Sequence, residues 1–291
     1  MALFADDSNF MLANKNLTIL EEQVNSELVK IKDYFDSNGL SINTSKTTYL
    51  YLCPKNKKRE KLNIKLGEVD LQESSQIKFL GIQIDNKLTF KGHFEKVYEK
   101  ARKGLNGLIL TKNKLNQQAK LNIYHSLIHS HFNYGAVIWA SFMNKKQMRT
   151  LQNIQKKALR IIYNTKINAH TSELFNKSRI TKIENLFERE SLILIHKYKN
   201  NSLPLEIQSL IDRSINLSTT NTRSRADFNV APNRELRSGN FLYDLISIWN
   251  KFENMIEGTK KLKDLKNKIN EIHNKIKNCT KSDCHTCKEQ N

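Results

Sequence analysis

Apolar residues recur at helical spacing over most of the chain. Residues 17–37 place Leu20, Val24, Leu28, Ile31 and Phe35 on one stripe, and Gly39 follows where a left-handed cap needs no Cβ. That predicts a one-sided helix. From 91 to 110 the stripe is Phe94, Val97, Tyr98, Ala101, Leu105 and Leu108; a helix over 117–130 follows. Residues 145–163 turn Met148, Leu151, Ile154, Ala158, Ile161 and Ile162 inward, against Lys145, Lys146, Arg149, Lys156, Lys157 and Arg160 outward. Leu186, Leu192, Ile195 and Tyr198 form a stripe ended by Leu203-Pro204, and Leu242, Leu245, Ile246 and Trp249 follow a polar interval at 214–225. A lysine-rich tail repeats the period at Leu262, Leu265, Ile269, Ile272 and Ile276. Short strands are confined to the first 90 residues: two arms around Asp6-Asp7, a strand over 47–53 ended by Pro54, an alternating hairpin over 62–71 broken at Gly67-Glu68, and a strand over 79–85. The pattern is α+β at the start and mainly helical after Lys91.

The composition then narrows the partners. With 291 residues, 38% of them hydrophobic, the chain is long enough for two or three cores. Lys+Arg 48 against Asp+Glu 29 gives +19, an excess suited to a polyanion, although basic Asn- and Lys-rich chains also arise from A/T-rich coding sequence. Four cysteines in this length do not form a disulfide framework, so a reducing, intracellular compartment is expected, cytoplasmic or nuclear. No apolar run is long enough to span a membrane, and no secretory leader pattern opens the sequence.

Candidate chemistry is concentrated near the start. Phe4-Ala5-Asp6-Asp7, flanked by Ala2-Leu3 and Phe10-Met11-Leu12, reads as a hairpin whose tip holds two adjacent carboxylates. Such a tip suits Mg²⁺, which takes a few carboxylate oxygens together with substrate phosphates; the plain alternative is a solvated turn. His125, His129 and His131 lie close together, but without a glutamate between the first pair or a third ligand they read as surface or packing histidines. Tyr134, Trp139 and Phe142 read as caps on the helical core rather than as base-stacking groups. Cys279, Cys284 and Cys287, with His285 between them, are candidate zinc ligands that lack a fourth at standard spacing.

In order, Phe4-Ala5-Asp6-Asp7, then Asn38-Gly39-Leu40 and Asn43-Thr44-Ser45-Lys46-Thr47, then Phe79-Leu80-Gly81-Ile82 ending at Asp85, then a basic helical region, resemble reverse transcriptases. More narrowly, they resemble the polymerase of non-LTR (LINE-type) retrotransposons. The resemblance runs from the first residue to about Phe252 and is sharpest over residues 3–90.

It implies a partial palm of β-hairpins plus a helix over 1–90, a helical thumb over 91–165, a post-thumb helical region over 166–255 and a lysine-rich helical tail with a cysteine cluster over 256–291. Asp6 would be a ligand for Mg²⁺ and Asp7 an auxiliary carboxylate of a two-metal nucleotidyl transfer. Lys46 would protonate the leaving pyrophosphate, unless it is an exposed lysine beside a turn. Phe79, Leu80, Gly81 and Ile82 would form the primer grip. Lys96, Lys100, Lys103, Arg149, Lys156, Lys157 and Arg160 would follow the backbone of an RNA template and DNA primer, unless they are a solvated bundle face. Arg223 and Arg225 would meet RNA phosphates, unless they lie on a surface loop.

Phe4 departs from the commoner tyrosine. The larger departure is an upstream palm strand, with its own carboxylate, and fingers that this sequence does not contain. The chain is therefore expected to be the C-terminal part of a polymerase, its N-terminal segment missing, and inactive alone. A non-catalytic nucleic-acid-binding remnant and a decayed reading frame are the alternatives.

Overall fold

The computed structural model describes residues 2–4, 7–53, 60–215, 241–256, 258–259 and 261–275. Contacts divide the chain into two units, residues 1–93 and 94–291.

In the first unit, β1 (Ala2–Phe4) and β2 (Asp7–Asn9) pair antiparallel, with Phe4 opposite Asp7. The helix α1 (Leu17–Ser37) is started by Asn16, whose side chain accepts from the Thr18 and Ile19 amides at 2.9 and 3.3 Å. It closes with Gly39 at φ 67 and a Leu40 amide that donates to Phe35 O at 2.9 Å. Its apolar stripe is only half-buried. Val24 and Leu28 pack on a small core of Leu62, Ile64, Leu66 and Leu71.

Asn25 reinforces that contact by acting as a neighbouring strand would. Its amide donates to Asn63 O at 3.0 Å, and its carbonyl accepts from Lys65 N at 2.9 Å. Four two-stranded sheets result. Besides β1–β2, β3 (Thr48–Tyr49) pairs parallel with β6 (Gln72–Glu73), β4 (Lys65–Leu66) antiparallel with β5 (Val69–Asp70), and β7 (Gln76–Phe79) antiparallel with β8 (Ile82–Asp85). The strand expected over 47–53 is paired at Thr48 and Tyr49 alone, because the β6 segment opposite it offers two residues and the Ser74 amide ends the ladder on Tyr49 O.

After β8 the Asp85 carboxylate organises the loop. It accepts from the Lys87, Thr89 and Phe90 amides and from the Thr89 hydroxyl, all at 2.7 to 3.0 Å. Burial works to raise this carboxyl, but those bonds outweigh it and hold Asp85 below the ordinary carboxylate range.

In the second unit, α2 (Lys91–Thr111) buries Val97, Ala101, Leu105 and Leu108. The helix expected over 117–130 begins as α3 (Gln117–Tyr124), widens into a π turn at His125–His129 and continues as α4 (Ser130–Asn133). Gly104 of α2 meets that turn so closely that a Cβ would lie 2.5 Å from the Leu127 carbonyl oxygen. Only a residue without a Cβ fits there. Of the three aromatics expected over the core, Trp139 at the end of α5 (Ala136–Trp139) is buried, whereas Tyr134 and Phe142 are exposed. Trp139 is held by its indole N–H, which donates to Tyr134 O at 2.9 Å.

The helix α6 (Lys145–Ile162) starts with a capping box between Asn144 and Gln147 and buries Leu151, Ile154, Gln155, Ala158, Leu159 and Ile162. Beyond it come α7 (Ser172–Ser178), α8 (Leu186–Lys199) and α9 (Leu205–Ile215). Then α8, α10 (Phe241–Ile256) and α11 (Leu262–Lys275) share a core of Leu192, Ile195, Leu245, Trp249, Phe252, Leu265 and Ile269. Among the described residues no helix is long and apolar enough to cross a membrane.

Candidate functional site

The hairpin register puts Asp7 at the start of β2, exposed, opposite an equally exposed Phe4. Asp6 lies outside the described residues. Among the described residues no group of three or more His, Cys, Asp or Glu side chains could hold a metal ion. Mg²⁺ is ordinarily held by one or two carboxylates together with substrate phosphates, and Asp7 is the one described carboxylate of this hairpin.

Lys46 is exposed in a turn built by Asn43. The Asn43 carboxamide oxygen accepts from Ser45 Oγ at 2.7 Å and from Lys46 N at 3.2 Å, and the Thr47 hydroxyl donates to Asn43 O at 2.9 Å. The backbone carrying Lys46 is thereby fixed.

Phe79 and Ile82 face each other across β7–β8, joined by a two-residue turn in which Leu80 and Gly81 both have positive φ, 44 and 85. Gly81 suits this turn, but Leu80 pays a steric cost that Asn or Asp would largely avoid. Ile82 is buried and Leu80 is 40% exposed, so the turn presents an apolar side chain to solvent. Asp7, Lys46 and the Leu80 turn belong to three separate local structures.

The basic residues are better assembled. On α6, Lys145, Lys146, Arg149, Lys156, Lys157 and Arg160 fall within an arc of about 120°, at about 100° per residue, opposite the buried arc. On α2, Lys96, Lys100 and Lys103 share one exposed stripe. Arg160 is partly engaged already, its Nε donating to Ala169 O at 3.0 Å. A stronger signal than these individual positions is the distribution of acids: no aspartate or glutamate occurs between Glu99 and Glu173, while lysines and arginines recur on both sides of a gap between Lys120 and Lys145. The acid-free interval contains the end of α2 and all of α6, and it would by itself have pointed to the basic region.

His129 is a packing group, whereas His125 is exposed. His129 is pushed down to about 4 by burial, with His125 and Arg189 adding to the shift, and its ring stacks on Tyr124 at 5.9 Å. It stays neutral at physiological pH. Burial also lowers His125 and His131. Cys279, Cys284 and Cys287 lie outside the described residues, as do Arg223 and Arg225.

Comparison with known proteins shows similarity to RNA-directed DNA polymerases of mobile genetic elements. The chain is 24% identical over 165 residues to the probable RNA-directed DNA polymerase from transposon X-element of Drosophila melanogaster, covering 56% of this chain and 18% of that protein. It is 23% identical over 186 residues to the RNA-directed DNA polymerase from mobile element jockey of the same organism, covering 63% and 20%. The chain thus spans about one fifth of the length of the curated relatives it matches. No family model matches the chain, and neither does any solved structure.

Proposed function

We propose that the chain is the C-terminal part of an RNA-directed DNA polymerase of a non-LTR retrotransposon. In this reading residues 1–90 are distal palm, 91–165 thumb, 166–255 a post-thumb region and 256–291 the tail. The reading is supported by the ordered motifs around Asp6-Asp7, Lys46 and Leu80-Gly81 and by the similarity to two mobile-element polymerases. The observation that carries it furthest is the acid-free interval between Glu99 and Glu173, with the α6 basic residues gathered on the arc opposite the core. Such faces neutralise phosphates along a strand without reading bases.

Within that reading the Phe79–Ile82 turn meets the primer strand and Lys46 faces the leaving pyrophosphate. Asp6 and Asp7 would hold magnesium only with at least one further carboxylate that these residues do not bring. A second reading, a basic nucleic-acid binder without catalysis, shares the α2 and α6 faces and needs no metal.

The test is template-primer binding over a range of salt concentrations, beside primer extension on RNA with Mg²⁺ and an Asp6→Ala control. We expect binding that weakens steeply with salt and no extension. Absence of binding, or binding indifferent to salt, overturns both readings. Extension that is lost in Asp6→Ala shows that the carboxylate set is complete within the chain and discards the non-catalytic reading.

A further inference from the structure

Residues 121–144 contain no aspartate, glutamate, lysine or arginine, and exposed cations flank them, Lys112 and Lys114 before and Lys145, Lys146 and Arg149 after. Four large apolar side chains of this uncharged stretch are nevertheless exposed: Leu127, Tyr134, Ile138 and Phe142. Single apolar residues are ordinary on a protein surface, but two aromatic rings on an uncharged segment between basic ones need a further account. Their neighbours are turned inward. Ala136, Trp139 and Ala140 are buried, and Val137 packs on the core shared by α8 and α10. That leaves Ile138 outside on α5, with Tyr134 just before the helix and Phe142 one turn beyond Ile138. Tyr134 is 55% exposed although its backbone is fixed, its N–H donating to Ser130 O at 3.0 Å and its carbonyl accepting from the buried Trp139 indole at 2.9 Å. Phe142, 38% exposed, stands three residues before Lys145, where α6 and its basic arc begin. The two acids of α8, against which α5 packs, are occupied, Glu188 by Lys251 and Glu190 by Arg189.

We infer that Tyr134 and Phe142 form a stacking platform for unpaired nucleobases of a bound single strand, whose phosphates meet the cations at the start of α6. Every base has a π face, so exposed aromatic rings take bases without reading sequence, provided that cations nearby hold the backbone. This segment brings the two together within a few residues. An aspartate or glutamate on it would repel the backbone, and it carries none. An apolar protein surface would cover the same side chains but would not answer the cations on both flanks, whereas one strand answers rings and cations together. A duplex does not suit the rings, because its bases are stacked on one another and present only their edges. The inference rests on the nucleic-acid binding common to both readings above and adds to the α6 face a site that engages bases.

The test measures fluorescence anisotropy of the full chain with a short single strand, the same strand made abasic throughout, and the corresponding duplex. The intact strand should bind roughly five- to hundredfold more tightly than the abasic one, which carries the same charge. Tyr134→Leu and Phe142→Leu keep an apolar side chain and remove the π face. Each should shrink that preference by about threefold or more, with duplex binding and the salt slope unchanged because no cation is lost. Tyr134→Phe retains the ring and should retain the preference. Photocrosslinking of a 5-iodouracil strand to the unmodified chain gives a readout independent of the variants, with adducts expected at Tyr134 or Phe142. Equal affinity for intact and abasic strands, a preference that survives the double leucine variant, or crosslinks confined to other residues overturns the platform, while salt-sensitive template-primer binding would leave the polymerase reading standing. A loss equal for all three ligands also overturns it, because it reports on the fold or the backbone path. If no polynucleotide binds, both fall. Base preference on single strands without template-primer binding supports the platform and removes the polymerase reading.

Discussion

Lys120, at the end of a long flexible side chain and yet 1% exposed, places its ammonium 2.9 Å from Asn164 Oδ1. The same Nζ donates to Ile161 O at 3.2 Å and to Lys112 O at 3.3 Å. One charge thus ties the end of α6 to the turn that follows α2. Lys120→Met retains much of the apolar stem but leaves three acceptors without their donor in a buried site. The expected cost is about 2 to 4 kcal/mol, since orphaned buried groups cost more than the bond was worth. Urea unfolding measures it. A loss below about 0.5 kcal/mol, within the range of ordinary surface substitutions, would show that water replaces the ammonium easily.

Two glycines of α2 should respond in opposite senses. A methyl group at Gly104 would meet the Leu127 carbonyl oxygen at 2.5 Å and Ile128 Cγ1 at 2.8 Å, and backbone is slow to yield. Gly104→Ala is expected to destabilise by roughly 1 to 3 kcal/mol through overpacking. At Gly107 a Cβ meets nothing within 4 Å, so Gly107→Ala should stabilise by about 0.5 to 1 kcal/mol through helix propensity alone. Thermal unfolding of the two variants side by side checks the sign of each.

These contacts also show where the sequence stops being informative. The stripes of α1, α2 and α6 were legible because a one-sided helix writes its buried face at a period of 3.6 residues. The β7–β8 hairpin was only partly so: its second strand was read, but its two-residue turn carries Leu80 where Asn or Asp is usual. The burial of Lys120 was not legible, because its acceptors come from residues 112, 161 and 164 and lysine is ordinarily a surface residue. The π turn at His125–His129 leaves no mark either, since one extra residue per turn changes spacing without changing residue type. Asp85 looked like a strand end and serves as the acceptor of its loop. For the candidate site, individual residues were readable by type. Their assembly was not, because Asp7, Lys46 and Leu80 occupy separate two-stranded sheets and a turn.

Acid should loosen the last helix first. Glu188 on α8 meets Lys251 of α10 at 2.9 Å and His273 of α11 at 3.3 Å. The His273 imidazole, 3.3 Å away, holds its carboxyl down at about 2, with Lys251 assisting and burial opposing, against an ordinary value of 4.5. A folded value below the unfolded one means that the unfolded chain binds more protons. The contribution of Glu188 is therefore complete above pH 4.5 and lost as the pH falls from there toward 2. Hydrogen exchange of the α11 amides should accelerate over that window. In Glu188→Gln the helix should be less protected at neutral pH, and the acid dependence of its exchange should flatten. Unchanged exchange down to pH 2 would mean that apolar packing alone retains α11.

The basic arc of α6 makes a quantitative demand on salt dependence. Replacing Arg149, Lys156 and Lys157 by glutamine keeps helix propensity and removes three cations that point away from the core. If each neutralises one phosphate of a duplex, the slope of log affinity against log salt should become shallower by about 0.9 per contact. The loss should be uniform across sequences of equal length, because backbone contacts carry no base information. Fluorescence anisotropy with two unrelated duplexes at several salt concentrations separates the outcomes. An unchanged slope would place the phosphate contacts elsewhere, whereas a sequence-dependent loss would reveal base recognition by this face.

Leu80 offers a test in which stability and binding should move apart. At φ 44 before Gly81, it occupies the first position of a turn that asparagine fits far better. Leu80→Asn is expected to stabilise the first unit by roughly 0.5 to 1 kcal/mol by relieving that strain. The strained leucine is 40% exposed. If the turn lies against a primer strand, the asparagine variant should fold more stably and hold a primer terminus less tightly, with the salt slope unchanged because no cation has been removed. Chemical unfolding and competition between template-primer and template alone measure the two effects. Greater stability with undiminished primer preference would remove the Leu80 turn from the nucleic-acid path and leave the α2 and α6 faces to account for binding.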